Sequence, residues 1–281
     1  MARKEKREWL NFSVKGENLE VNHWIQDRSV HAEASYMAIG TAARLALGLG
    51  LHRTLVDSLL TTNDVEERRN VFWVLYVMDR GVSLRLGRPP TICEDDIEVS
   101  EPTPSRKLQS SPAKDGFAHF VKLNRIKSEI YSKLYSVRSL MGDGQTQRLA
   151  TLHNLDEKLT TWQNSLPSEM LSFEKALQSL NAHLITMTML LHAEFYNCQL
   201  MLYRTDSYWD ALDSSIRTTT SSAEFSEDCS REKCLTAARH AAELLDRLQQ
   251  SGKMFQSNLA RYDAFLRWLS AFVRQNELTN F

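Results

Sequence analysis

From Leu180 to Tyr203 the chain is apolar almost all the way round a helix. Leu184, Met187, Leu190, Leu191, Phe195, Leu200, Met201 and Leu202 leave it no wholly polar face. Such a helix is stable in water only when other elements surround it. This segment therefore predicts a helical body with residues 180–203 at its centre.

The surrounding elements announce themselves by apolar residues at spacings of three and four. Over Ser29–Gly50 the stripe is Ala34, Ala38, Thr41, Leu45 and Leu49, and the small face made by Ala34, Ala38 and Ala42 suits close helix approach. Over Asp64–Leu86, Asp64 can cap the start, Glu66 and Glu67 sit in the first turn, and Val71, Leu75, Met78 and Val82 form the stripe. A helix over Gly116–Met141 would bury Phe120, Leu123, Ile130, Leu134 and Val137. Gln145–Ser165 follows, closed by Pro167. Arg231–Gln250 carries Leu235, Ala238, Ala241, Leu245 and Leu248, and a last helix covers 257–277.

The breakers fall between these segments. The 281 residues include only 10 Gly and 6 Pro, too few for a many-turned β fold. Gly48 and Gly50 end the first helix, Gly87 ends the second, and Pro89-Pro90 prevents its return. Gly142-Asp143-Gly144 reads as a turn. The prolines and serines of 100–113 and the Ser/Thr-rich stretch 204–229 read as loops. No period-two run is long enough for a strand. The expected fold class is all-α: a leader or weakly ordered lead-in over 1–28, then one domain of about seven or eight helices over 29–281.

Charge and cysteine content exclude several functions. The net charge is -1, without the positive excess of a free-standing nucleic-acid-binding domain. Arg3, Lys4, Lys6 and Arg7 form a short basic cluster, but glutamates interrupt it, so it reads as a solvated tail rather than a nuclear localisation signal. Cys93, Cys198, Cys229 and Cys234 include no C-x-x-C pair and read as free thiols in a reducing compartment. The charged start MARKEKREWLNF has no apolar core, so no signal peptide is expected. Leu184–Leu191 is too short to span a bilayer.

Catalytic signatures are missing too. There is no G-x-x-x-x-G-K-[ST], H-E-x-x-H, G-x-S-x-G or G-x-G-x-x-G. Glu94-Asp95-Asp96-Ile97-Glu98 lies between prolines and therefore in a loop, where a helical D-D-x-x-D magnesium site would need an acid in place of Val99. It reads as a solvated turn with an acid capping a short helix. His192, inside the apolar helix, reads as a satisfied core or interface histidine rather than a ligand. Asp79 borders the apolar arc of its helix, and Arg80 points nearly opposite, on a face shared with Arg69, Trp73 and Tyr76. An arginine on that face can lie over Trp73. A buried Asp79 would need a cation, for which Arg44 is one candidate. The expected role is a buried ion pair that fixes helix packing rather than a ligand contact.

Several of these residues form longer motifs. Gly40-Thr-Ala-Ala-Arg44-Leu-Ala-Leu-Gly48-Leu-Gly50-Leu-His52-Arg53 resembles one motif of the fungal-specific transcription factor domain, the middle homology region of Zn₂Cys₆ regulators, also called the xylanolytic activator regulatory domain. Arg68-Arg69-Asn-Val-Phe72-Trp73, followed by Asp79-Arg80, resembles its R-R-x-x-F-W-x-x-x-x-x-D-R. Gly87-Arg88-Pro89 and Asp96-Ile97 match its G-R-P and D-I positions. Gln199–Arg204, with Tyr203-Arg204, looks like its L-x-L-Y-R segment, and Cys234–Leu248 like its C-x-x-A-A-x helix.

The resemblance implies an all-α regulatory domain of a nuclear transcription factor, with these motif residues serving structure. It implies no catalytic residue and no cofactor in this chain. In the family, zinc and DNA are bound by a separate six-cysteine module, and no such cluster or basic linker precedes residue 29. No direct DNA binding and no membrane contact is expected of the chain alone. The implied partners are other segments of a transcription factor or coregulator proteins, with a small-molecule effector and a dimer left open. Ending at Phe281, the domain is expected to be incomplete at its C-terminus. Two alternatives stand beside this reading: a stand-alone interaction module that modulates a full-length regulator, and a helical enzyme.

Overall fold

The computed structural model describes residues 32–54, 60–102, 112–142, 145–213 and 224–250. Among them are eight α-helices and no strand, the all-α class expected. No helix among the described residues is long and apolar enough to cross a membrane. Where the sequence reading has one domain from residue 29, the described residues fall into two compact units, one up to Pro102 and one from Pro112.

The first unit holds α1 (Ala32–Gly48) and α2 (Thr62–Arg85). The two run antiparallel. Arg68, near the start of α2, bonds carbonyls at the end of α1, and Arg88, just past α2, bonds Glu33 at the start of α1. Thr61, not Asp64, is the N-cap of α2. Its hydroxyl accepts from the Asp64 amide and donates to the Asp64 carboxylate, so a Thr-x-x-Asp pair closes the end reciprocally.

Both helices stop in the same way. Gly50 and Gly87 have φ of 67° and 64°, a conformation in which a Cβ is strained. The Leu51 amide reaches back to the Ala46 carbonyl (3.0 Å) and the Arg88 amide to Ser83 (2.8 Å), closing two Schellman turns. Gly48 is the last residue of α1 and does not share this conformation.

The faces of both helices differ from the expected stripes. On α1 the buried residues are Ser35, Ile39, Ala43 and Ala46, while Ala34, Ala38, Thr41, Leu45 and Leu49 are exposed. Two faces of α1 are apolar, and the one that packs carries Ile39 and Gly40. A Cβ at Gly40 would lie 3.3 Å from the Thr91 hydroxyl, so this side admits the following loop most closely. On α2, Phe72, Trp73, Tyr76, Asp79, Arg80 and Ser83 are buried, whereas Val71, Leu75 and Met78 are only half-buried. Three aromatic rings and the Asp79–Arg80 pair make up that face, and Val82 of the expected stripe is buried as well.

The second unit contains α3 (Pro112–Ile130), α4 (Val137–Gly142), α5 (Gln145–Asn164), α6 (Phe173–Gln178), α7 (Ala182–Asp213) and α8 (Glu224–Gln250). The apolar α7 is central and touches α3, α5, α6 and α8. It runs parallel to α3, because Gly116 meets Met187, Lys127 bonds Glu194, and Tyr135 donates to the Met201 carbonyl. Trp162 donates to the His119 carbonyl and Lys158 bonds Glu129, so α5 is antiparallel to α3. His240 against Tyr196 and Lys233 over Tyr203 make α8 antiparallel to α7. The result is an up-down-up-down bundle.

Several boundaries moved. α3 starts at Pro112, four residues before Gly116, where proline's missing N–H costs nothing. The helix expected to continue to Met141 passes through a π-turn at Tyr131–Tyr135 and breaks at Ser136, which is extended (φ −70°, ψ 149°) and whose hydroxyl accepts from the Ser139 amide. Leu123, Ile130 and Leu134 are buried as expected. Phe120 is half-buried, and Val137, beyond the break, is 69% exposed. Within the polar stretch 204–229 the described residues are helical, since α7 continues to Asp213 and α8 begins at Glu224, while 214–223 lie outside the described residues. A helix already anchored extends at little cost through polar sequence. The lead-in 1–28, residues 103–111 of the first loop, Asp143-Gly144 of the turn, and the helix 257–277 lie outside the described residues.

Candidate functional site

The motif residues of the first unit meet where α2 packs on the loop that follows it. Asp79 is 2% exposed and Arg80 1%. They pair with each other, Arg80 Nη1 lying 2.9 Å from Asp79 Oδ2. Arg44, the cation considered for Asp79, is exposed on α1. A sequence-adjacent partner is available because the main chain reverses after Gly87 and brings Thr91 and Ile92 back over this turn of α2. The Thr91 and Ile92 amides donate to Asp79 Oδ2 at 2.9 and 3.0 Å, and the Ile92 carbonyl accepts from Arg80 Nη2 at 2.7 Å.

Glu94 completes the arrangement. Its Oε1 accepts from Arg80 Nη2 (2.9 Å) and from the Tyr76 hydroxyl (2.5 Å). The Arg80 guanidinium stacks 4.4 Å from the centre of the Tyr76 ring, not over Trp73 as the sequence suggested. Tyr76 and Phe72 each meet the Trp73 ring edge-on, and the indole N–H donates to the Ser100 carbonyl at 2.9 Å. Burying two charges is costly unless every lone pair and proton finds a partner. Here the carboxylate and guanidinium are held by each other and by the returning backbone. Both Asp79 oxygens and both terminal nitrogens of Arg80 are engaged within the chain, so neither group is poised to act as a base or to hold an anion.

The other motif residues tie the same loop and helix ends. Arg68 Nη2 caps α1 by donating to the Leu49 and Gly50 carbonyls (3.3 and 3.2 Å), where a cation also suits the helix dipole. The His52 carbonyl accepts from the Glu98 and Val99 amides, and Arg53 Nε donates to the His52 ring at 3.1 Å. Glu98 holds the Thr54 hydroxyl and amide, bonds that lower its pKa from the ordinary value. Arg88 bonds Glu33 (2.7 Å) and lies over the Tyr36 ring, while the Tyr36 hydroxyl donates to the Pro89 carbonyl. Arg69 is half-buried, and its Nε is without a hydrogen-bond partner.

Tyr203 and Arg204 belong to the second unit. The Tyr203 hydroxyl donates to Asp156, which also pairs with Lys233 at 3.2 Å. The Arg204 guanidinium lies 5.7 Å from the centre of the Tyr135 ring. Nearby, burial pushes the Cys234 thiol up to about 11 and the Cys198 thiol higher still, so both stay protonated. His192 is buried and donates Nε2–H to the Met170 carbonyl at 2.9 Å, a satisfied core position.

Sequence reasoning missed Glu94, Tyr36 and the Thr91–Ile92 amides. It had noted Tyr76 on the arginine face and the acidic run at 94–98. A Gly-ended helix followed by two prolines reverses the chain, and that reversal was the signal that an acid fourteen residues after Arg80 could return to it. No group of three His, Cys, Asp or Glu among the described residues could hold a metal. A recess of about 560 Å³ in the second unit is lined by Ser168, Glu169, Lys175, Gln178, Ser179, Asn181 and Leu184. That lining lacks the apolar walls of a typical small-molecule site.

The motif geometry of the first unit thus describes a structural clamp, and the stretch that carries it falls within a family match that stops short of the Gln199–Arg204 and Cys234–Leu248 segments. The model of the fungal specific transcription factor domain matches residues 24–164, half of the chain. An ABC-transporter-regulating transcription factor of Aspergillus fumigatus is 31% identical over 189 residues, covering 63% of this chain and 21% of that protein. The acetamidase regulatory protein of the same organism is 30% identical over 181 residues (63% and 22%). An uncharacterized transcriptional regulatory protein of Schizosaccharomyces pombe is 30% identical over 182 residues (61% and 23%). The chain spans about a fifth of the length of these curated relatives. No solved structure matches at a significant level. By the extent of the family match, the chain belongs to the fungal specific transcription factor domain family.

Proposed function

We propose that this chain is the regulatory portion of a fungal transcription factor: a helical body that restrains or releases DNA-binding and activation functions carried by other segments. Family membership carries the reading, and the clamp supports it. The motif residues with the most distinctive chemistry, Asp79 and Arg80, are consumed in holding α2 to its loop. Relatives named as transcription regulators are consistent with it. On this reading the chain works in the nucleus and uses no cofactor of its own. Zinc and specific DNA contacts belong to a separate module, and the differential affinity for a metabolite or coregulator that any switch requires resides in surfaces of this body.

The test is a reporter in which the chain is fused between a heterologous DNA-binding domain and an activation segment. Reporter output should change when the chain is inserted and should respond to growth conditions. An unrelated helical domain of equal length should leave it unchanged. Output indistinguishable between the two inserts overturns the proposal. The purified chain by itself should give no sequence-specific shift of duplex DNA at physiological salt.

A further inference from the structure

The helix at the centre of the second unit is apolar almost all round. Hydrophobic burial alone therefore fixes neither the rotation nor the axial register of a neighbour packed against it. Between Ala182 and Tyr203, Glu194 is the only carboxylate, and no Lys or Arg occurs. That single charge lies against α3, where Lys127 Nζ pairs with Glu194 Oε1. Lys127 is 3% exposed and Glu194 20%. The Asn197 side-chain amide donates to the same carboxylate oxygen at 3.4 Å.

One turn away from the pair, in each direction, the interface is apolar. On α7, Leu191 and Cys198 are fully buried, and on α3 so are Leu123 and Ile130. A slip of α3 by one turn sets the Lys127 ammonium against Leu191 or Cys198, and the Glu194 carboxylate against Leu123 or Ile130. Both charges are then desolvated without a partner, which is strongly unfavourable. The other polar contact between these helices discriminates less. Tyr135 donates to the Met201 carbonyl, and a helix carries a carbonyl at every residue. A buried ion pair adds little net stability, because desolvation offsets the attraction. A lone polar position in an apolar interface, by contrast, selects one register from several.

We infer that Lys127 and Glu194 form a register lock, a buried pair that selects the arrangement of α3 on α7 rather than adding to stability. The lock goes beyond the regulatory reading and does not rest on it. A body that acts through its packing needs one reference state, and this pair defines it.

Urea titration and disulfide trapping of the full chain test this. Glu194→Met strands the buried ammonium and should lower the folding equilibrium constant by about a hundredfold or more. Lys127→Met leaves a carboxylate that reaches water and should cost less. The double variant Lys127→Met/Glu194→Met should return to within about tenfold of the wild type or exceed it. Register is read by adding Gly116→Cys/Met187→Cys. A Cβ at Gly116 lies 3.3 Å from the Met187 Cβ, close to the about 3.5–4.5 Å that a disulfide spans. With the ion pair intact this cross-link should form nearly completely, as identified by peptide mass spectrometry. In the double-methionine background, at the same folded fraction, it should lose much of its yield. If the double-methionine chain does not fold, the charge swap Lys127→Glu/Glu194→Lys serves in its place. The swap should recover the stability and the cross-link that each single reversal loses. Single variants as stable as the wild type overturn the inference. So does a double-methionine chain as unstable as Glu194→Met, or one that cross-links fully, or a charge swap no better than the single reversals.

Discussion

Replacing Asp79 by alanine should be among the most damaging single changes in the first unit. The carboxylate is the buried counter-charge of Arg80 and the acceptor for two main-chain amides, Thr91 and Ile92. Its removal leaves a guanidinium that is 1% exposed without its buried counter-charge, still bonded to Glu94. Glu94 is 34% exposed and so compensates in part. Breaking a buried ion pair from one side costs about 3–5 kcal/mol, and each orphaned amide adds about 1 kcal/mol or more. With Glu94 retained, the expected loss is about 4 kcal/mol, a large share of a typical domain's stability. Native-state hydrogen exchange reads this locally. The Thr91 and Ile92 amides should lose most of their protection, and that of α2 should fall by a similar free energy. Asp79→Asn should be milder, since it keeps an acceptor for the amides while discarding the charge. If the Asp79→Ala chain keeps wild-type protection within about 1 kcal/mol, the clamp does not hold the loop and the argument fails.

Other outcomes follow from the same geometry. Gly50→Ala and Gly87→Ala should each destabilise by about 1 kcal/mol or more, because both positions have positive φ. Gly48→Ala, helical with open space at its Cβ, should be neutral or stabilising by about 0.5 kcal/mol, and urea titrations compare the three. Trp73→Phe should cost about 1 kcal/mol by leaving the Ser100 carbonyl without its donor, measured in the same titrations. In the second unit, burial pushes His119 and His192 below their ordinary pKa, with Lys122 adding to the effect at His119. The unfolded chain therefore binds more protons than the folded one once pH falls below about 6.5, the unfolded histidine value. The stabilisation is complete above that pH and is lost as pH falls toward the folded values. Melting temperatures near about pH 5.5 should thus lie below those near about pH 7.5. His192→Gln, which retains a donor for Met170, should flatten the difference; an unchanged slope in that variant counts against the assignment.

The long helices were legible in the sequence from their end chemistry and composition, α2 lying between its N-terminal cap and a Gly87-Arg88-Pro89-Pro90 stop and α7 being too apolar to be anything but central, whereas the six-residue α6 was not. The packed face of α1 was not legible. Both its faces are apolar, and the choice between them depends on how closely Gly40 can approach Thr91, a tertiary fact. The site was half legible. The Asp79–Arg80 pair stood out as charge on a buried helix, but its partners are main-chain amides and a glutamate returned by a loop, which helical periodicity cannot place. The polar stretch 204–229 misled for the opposite reason, since local composition suggested a loop where, at 204–213 and 224–229, anchored helices continue.

The central claim is that the motif residues build the regulatory body rather than contact its target, and the fusion reporter measures this most directly when run as a temperature series. The Asp79→Ala chain should lose regulation at higher temperature and recover it at lower temperature, in step with the folded fraction measured by hydrogen exchange. A variant that remains folded at low temperature yet still fails to regulate would contradict the account and place Asp79 at the recognition surface itself.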